Sequence, residues 1–330
     1  MATTLVTGAV FGAALVAAGV HDPAVVISQF KFENFDMVQS FLAATATTSA
    51  VVVALDKLGY ISLKPRTASS LGLFSAYDGN VVGGSLLGAG MALSGACPGV
   101  AFTQAGLGLR SGRFAIQGAL VGGVIYTGII APAIARRRKT ITPPAHPGAI
   151  HHVAPVSRAA AFIGTEAIYA AVIASAILLG PPSPFRPLVS PAVGGVILGS
   201  AQLLSLLLRG SLIGVSTVFE DAGRYVSWLT SGADTKKAPK SYTATLFALA
   251  MTAGAYALGL AYPSVAPAED ARVTAVNAIV GGILFAIGAR IAGGCTSGHG
   301  ISGISLLSVS SFVTIASTFA IGGAVALWAY

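Results

Sequence analysis

Between Val81 and Leu109 the chain carries no Asp, Glu, Lys or Arg, and neither does the stretch from Val273 to Ala289. A run of about 18 or more apolar residues with few charges is long enough to cross a bilayer core as a helix. Such runs recur at about 4–20, 38–55, 79–97, 99–109, 114–134, 159–180, 190–208, 211–230, 241–262, 273–292, 300–310 and 311–329. Charged residues make up only 9% of the chain and apolar ones 54%, whereas a soluble domain has about a quarter charged. The mean hydropathy is +0.80. The pattern predicts an all-α polytopic membrane protein with about nine transmembrane helices and several shorter ones.

The net charge of +8 does not point to nucleic acid, because the basic residues cluster between apolar tracts. They form Lys57, Lys64 and Arg66, then Arg136 to Lys139, then Lys236, Lys237 and Lys240. Cytoplasmic loops carry this positive bias, so the partner is the lipid bilayer and the 136–139 run is expected on the cytoplasmic side of the cell membrane. The segment MATTLVTGAVFGAALVAAG lacks the basic start of a secretory signal and is expected to stay in the mature protein. Two cysteines make no disulfide framework.

Residues 136–157, with four prolines, three histidines and the basic run, read as a hydrophilic linker between membrane repeats at 1–135 and 158–330. At one constant offset Gly83 and Gly84 fall on Gly281 and Gly282, Gly90 on Gly288, Gly95 on Gly293, Cys97 on Cys295 and Phe114 on Phe312. A weaker match sets Gly8-x-x-x-Gly12 on Gly195-x-x-x-Gly199. Small residues at that spacing mark close helix packing. Internal repeats with interrupted helices are common transporter architecture, with the substrate site at the repeat interface near the midplane; two inverted repeats are expected.

From Gly83 to Gly95 the first repeat has too few residues to span the bilayer before Gly95-Ala96-Cys97-Pro98-Gly99. Glycine is a poor interior helix residue, and Pro98 disfavours helix at Cys97 while suiting the start of a new one. The second copy breaks at Gly293-Gly294-Cys295-Thr296-Ser297, where Thr296 or Ser297 can cap the next helix. Non-helical backbone at membrane depth must be buried in protein or line a water-filled path, and new helix starts favour anions. The expected substrate pathway therefore comprises Cys97, Cys295, Gly95, Pro98, Gly99, Gly293, Gly294, Thr296, Ser297, His299 and Arg290.

Cys295 and His299 have a metal-ligand spacing, but a zinc site needs three or four protein ligands and no further Cys or His lies nearby, so no metal and no cofactor are expected. Gly298-x-Gly300-x-x-Gly303 follows an apolar helix rather than a strand, which excludes a dinucleotide site. Gly88 to Gly95 has no phosphate-loop lysine. Arg290, the lone cation from Val273 to Gly298, has three readings: substrate attraction, pairing to another helix with Glu166 as one partner, or snorkelling.

The segments Gly95-Ala-Cys-Pro-Gly99 and Gly288-Ala-Arg-Ile-Ala-Gly-Gly-Cys-Thr-Ser-Gly-His-Gly300 resemble the YeeE/YedE family of sulfur-transport membrane proteins, over nearly the whole chain. The resemblance implies an inverted-repeat fold whose short helices meet at a constriction. It also implies uptake of thiosulfate passed along cysteine thiols. Cys97 and Cys295 match two of the family's functional cysteines; a third is missing, since residues 1–60 hold none and the local sequence is Gly19-Val20-His21-Asp22-Pro23. Some relatives work with small soluble sulfur-carrier proteins.

These readings favour a non-enzymatic permease for thiosulfate or a related sulfur anion. Thiols are weak donors, able to hold a soft anion loosely enough to release it. A membrane sulfurtransferase forming a cysteine persulfide is the alternative, and a structural subunit without substrate is a third.

Overall fold

The computed structural model describes residues 1–138, 148–232, 239, 241–267, 270 and 272–330. Lys139, Lys236, Lys237, Lys240 and the 139–147 part of the expected linker lie outside the described residues. The described residues are helical without a strand, apart from one bridge between Ala149 and Ser308. The first half holds α1 (Ala2–Ala17), α2 (Pro23–Phe30), α3 (Asp36–Lys57), α4 (Asp78–Ser94), α5 (Val100–Gly106), α6 (Arg110–Ile125) and α7 (Ala131–Arg138). A π-helical turn at Tyr126–Ile130 joins α6 to α7. A short α8 (Ile150–Val153) precedes α9 (Arg158–Leu179), α10 (Pro191–Arg209), α11 (Thr217–Thr230), α12 (Thr243–Ala261), α13 (Ala275–Ala292) and α14 (Val309–Ala329).

Seven described helical runs are long and apolar enough to cross a membrane: α3, the run Arg110–Arg138, α9, α10, α12, α13 and α14. α1 is apolar but has 16 residues, and α4 has 17. The helical run at the end of the first half continues through Arg136, Arg137 and Arg138, into the segment expected as linker. Polar side chains fix several starts, as expected where the first N–H groups lack partners. Asp22 accepts from Ala24 N at 2.8 Å, Ser157 from Ala160 N at 3.1 Å and Thr274 from Asn277 N at 3.1 Å.

Lipid is as apolar as leucine, so helices associate through close backbone approach at small residues. α4 crosses α13 on glycines: a Cβ on Gly83 would lie 2.6 Å from Gly288 O, and one on Gly90 would lie 2.5 Å from Gly281 O. The outer contacts follow suit. A Cβ on Gly84 of α4 would sit 2.5 Å from Thr314 O of α14, and one on Gly282 of α13 would sit 2.1 Å from Ala115 O of α6. The two Gly-x-x-x-Gly pairs are close-packing sites as expected: a Cβ on Gly12 would lie 2.0 Å from Met251 O of α12, and one on Gly195 would lie 2.3 Å from Ser40 O of α3. Gly90→Val should therefore overpack the crossing, at a cost of about 1–3 kcal/mol or more. Gly128→Val, with nothing within 4 Å of the added Cβ, should be tolerated. Thermal unfolding of the two detergent-extracted variants checks this; equal stability would mean the helices do not approach so closely.

Candidate functional site

The two interruptions fall where the sequence places them. α4 ends at Gly95 with φ +59°, and α13 ends at Gly293 with φ +87°. Both are left-handed conformations that glycine adopts without a Cβ penalty. After Gly95 the chain turns through Pro98 and Gly99 into α5, and Cys97 Sγ accepts from Val100 N at 3.4 Å at that helix start. After Gly293 and Gly294 the chain enters a buried π-helical turn, Ser297–Gly303. Neither Thr296 nor Ser297 caps it by side chain. The Thr296 hydroxyl instead reaches the Cys97 thiol, and Ser297 Oγ lies 3.2 Å from Cys295 Sγ. The two breaks are thus linked side chain to side chain.

Between them lies a cavity of about 50 Å³ lined by Cys97, Gly99, Thr296 and Ser297 amid Phe11, Leu15, Phe41 and Ile301. At about 10–15 Å³ per water, it holds a few waters, so an anion entering it must shed most of its hydration. Cys97 lines this space, whereas Cys295 is 1% exposed and set behind Thr296 and Ser297. Backbone N–H groups of Val215, Ser216 and Gly298 approach Cys295 Sγ. Both cysteines are free thiols.

A larger cavity, about 570 Å³, opens on the other side of the 293–299 segment, lined by Gly293 and His299 with Arg66, Arg138 and Arg290. His299 is not free to act as a metal ligand. Ala292 O can only accept, so Nε2 donates to it at 3.1 Å and the neutral ring's Nδ1 accepts from Ser311 Oγ at 2.9 Å. The described residues contain no group of three His, Cys, Asp or Glu able to hold a metal. Arg66, read from sequence only as part of a loop cluster, lies along the second break. Its Nη1 donates to Gly293 O at 3.0 Å, and a Cβ on Gly294 would meet that nitrogen at 2.9 Å.

Of the readings for Arg290, the structure realises helix pairing, but with Glu220 of α11 rather than Glu166. Glu220 also pairs with Arg224. Glu166 sits on α9, which packs against α3, near Ser49; it is on the wrong side of the bundle for Arg290. The preference for α11 has no signal in the sequence beyond an acid–base spacing on an amphipathic helix.

On the face opposite the arginines, a cavity of about 260 Å³ is lined by Gly19, His21, Asp22 and Arg186. Val20, between Gly19 and His21, lines the small central cavity. This is the stretch where the expected third cysteine is missing. His21 Nε2 donates to Val265 O at 2.7 Å while Nδ1 has no partner, and burial lowers the imidazole's pKa, keeping it neutral. Burial likewise raises the Asp22 carboxyl. Gln104 ties this loop to the first break, donating to His21 O at 3.0 Å and Gly95 O at 2.8 Å. A glutamine inside an apolar tract was the available sign of that role.

Seven described helices of membrane length, with two interrupted helices meeting at a small internal cavity, define a multi-pass integral membrane protein of the transporter class. The chain belongs to the sulphur transport family, whose sequence profile matches residues 21–326. It is similar to a probable transporter of Xylella fastidiosa strain 9a5c, 32% identical over 126 residues, which is 38% of this chain and 83% of that protein. A probable transporter from strain Temecula1 of the same species is 35% identical over the same length and shares.

Proposed function

We propose that the protein is a cell-membrane permease for thiosulfate or a related sulfur-containing anion, which passes Cys97 and then the Thr296–Cys295 segment. The observation that carries this reading is the pairing of the two breaks around one small cavity, with Cys97 exposed to it and hydroxyls from the opposite break beside the thiol. Weak S–H and O–H donors can replace part of the anion's hydration without trapping it. The pathway then runs from the His21 cavity to the arginine-lined one, with Arg136–Arg138 on the cytoplasmic side by the positive-inside bias.

The scaffold is read as two inverted repeats, 1–135 and 158–330. Gly83 faces Gly288 while Gly90 faces Gly281, and these are the residues the constant offset equates in exchange. An axis crossing the two helices at their contact produces this reciprocity. The α1–α12 and α10–α3 packings form a second exchanged set. Since 126 residues are 83% of the Xylella relative, that protein is about 150 residues long, near the size of one repeat.

Expression of the chain in cells lacking thiosulfate uptake tests the proposal. Growth on thiosulfate as sole sulfur source and accumulation of labelled thiosulfate above a vector control are expected; neither appearing in cells that make folded protein would overturn it. The second reading, sulfur transfer through a persulfide, is favoured by the N–H groups and Arg66 near Cys295, conditions that stabilise a thiolate. In it a cysteine thiolate attacks the sulfane sulfur of thiosulfate, the S–S bond of thiosulfate breaks and sulfite leaves. It therefore predicts sulfite release, a persulfide adduct on purified protein and a carrier protein to accept the sulfur.

A further inference from the structure

Among the described residues, the arginine-lined cavity holds more positive charge than the groups around it balance. Arg66 comes from the α3–α4 loop, Arg138 from the end of α7 and Arg290 from the last turn of α13, so three separate elements deliver a cation to one space. Arg66 and Arg290 are close enough to repel one another, and Arg138 and Arg290 both act on Tyr126. Among the described residues, no carboxylate lines the cavity. Glu220 reaches Arg290 from α11 and is shared with Arg224. Asp78, the acid that begins α4, is occupied by backbone N–H groups of Leu71, Leu73, Phe74 and Gly79.

The negative end of α13 does not provide the balance either, because its last carbonyls are already capped. Ser69 Oγ donates to Ile291 O at 2.6 Å, Asn80 and His299 donate to Ala292 O, and Arg66 donates to Gly293 O. Arg66 and Arg138 each spend only part of their donors: Arg66 uses Nη1 on Gly293 O, while Arg138 uses Nε on Ser70 O at 2.8 Å and Nη2, weakly, on Ser69 Oγ at 3.5 Å. The Nε of Arg290 is buried without a partner. A guanidinium offers five N–H donors in a fixed fork suited to tetrahedral oxyanions. At about 570 Å³ the space accommodates such an ion with much of its hydration, unlike the central cavity.

We propose that this vestibule is a second, separate binding site for a hydrated divalent oxyanion, held by Arg66 and Arg138, with Arg290 largely neutralised by Glu220. It rests on the transport reading for its role, as the station next to the cysteine constriction, but not for its chemistry. A field from fixed cations raises local anion concentration and favours divalent over monovalent ions. Arg66 lies within electrostatic reach of Cys295, so an anion held there also screens the attraction between the guanidinium and a sulfur anion at the constriction.

The test uses the full chain purified in neutral-lipid nanodiscs, with sulfate and thiosulfate as probes and chloride at matched ionic strength as control. Either divalent ion should slow phenylglyoxal modification of Arg66 and Arg138, read by peptide mass spectrometry, and chloride should not. Arg138→Gln should weaken sulfate binding about tenfold, the loss of one charged hydrogen bond, and Arg138→Lys should recover part of it. Arg66→Gln is expected to behave likewise; should it fail to fold, the Arg138 pair still decides. Cys97→Ala should leave sulfate binding unchanged while thiosulfate uptake falls. Equal modification rates in sulfate and chloride would overturn the site. So would loss of sulfate binding in Cys97→Ala, which would place the ion in the central cavity. Abolition of sulfate protection by anionic lipid would assign the arginines to a lipid headgroup and overturn the small-ion site. Sulfate protection without any thiosulfate uptake would leave the vestibule standing and remove the transport reading, and cysteine-dependent uptake without protection would do the reverse.

Discussion

Cys97→Ala is expected to lower thiosulfate uptake at least tenfold with folded protein still present. The thiol lines the narrowest cavity, where an anion has lost most of its water. One lost hydrogen bond to a charged group there costs about 1.5–3 kcal/mol, or roughly ten- to a hundredfold. Alanine in place of Cys97 also removes the sulfur that engages Val100 N and Thr296, so part of the effect is a looser start to α5. Cys295→Ala should produce a loss of similar size by a different route: it empties a buried position and leaves Ser297 Oγ without its neighbour. Serine at Cys97 or at Cys295 should retain measurable uptake, because a hydroxyl donates too, whereas a persulfide route through Cys295 would tolerate no serine there. Initial rates of labelled thiosulfate uptake, normalised to folded protein, distinguish these outcomes. Wild-type rates in both alanine variants would remove the pathway from this cavity.

The second large effect is expected at Glu220. Its carboxylate and the Arg290 guanidinium are 12% and 17% exposed, and removing one partner of a buried pair leaves an uncompensated charge, at about 3–5 kcal/mol when burial is complete. Glu220→Gln strands Arg290 at the edge of a cavity already holding two other arginines, so folded yield should fall sharply. Arg290→Gln should cost less, since Glu220 keeps Arg224, whose side chain is 57% exposed. Arg290→Lys should recover little of that loss, because a lysine lacks the guanidinium fork. The double variant should be more stable than Glu220→Gln alone. Detergent-extracted yield and thermal unfolding of the three substitutions and the double variant measure this. If Arg290→Gln extracts normally while anion affinity collapses, the arginine serves substrate rather than the helix pair.

The helical class and the two breaks were legible in the sequence because the bilayer acts as a uniform solvent. It demands apolar length, and the only departures are places such as Gly95-Ala-Cys-Pro-Gly99 where the pattern stops. The number of spans was not legible: seven described runs reach membrane length rather than about nine, since tracts such as those of α1 and α4 fold as shorter helices. Helix packing at Gly8-x-x-x-Gly12 was equally legible, since close approach needs small residues whatever the partner. Which partner was not legible: that Gly90 rests on Gly281, and Gly12 on Met251, follows from how two sets of helices interleave. The polar connections were hidden for the same reason. Thr296 and Ser297 fitted helix caps locally, yet Thr296 turns to Cys97 of the opposite break and Ser297 to Cys295 of its own. Arg290 could be recognised as needing a partner but not assigned to Glu220, and Arg66 looked like an ordinary loop cation until the loop folded beneath the second break. The solvent and the places where helices stop follow from the residues themselves, because those are local responses to hydrophobicity and backbone chemistry. Which charges and thiols share a cavity follows instead from the folded bundle, because it depends on residues as much as 255 positions apart, as Thr45 Oγ1 and Gly300 O are, meeting across it.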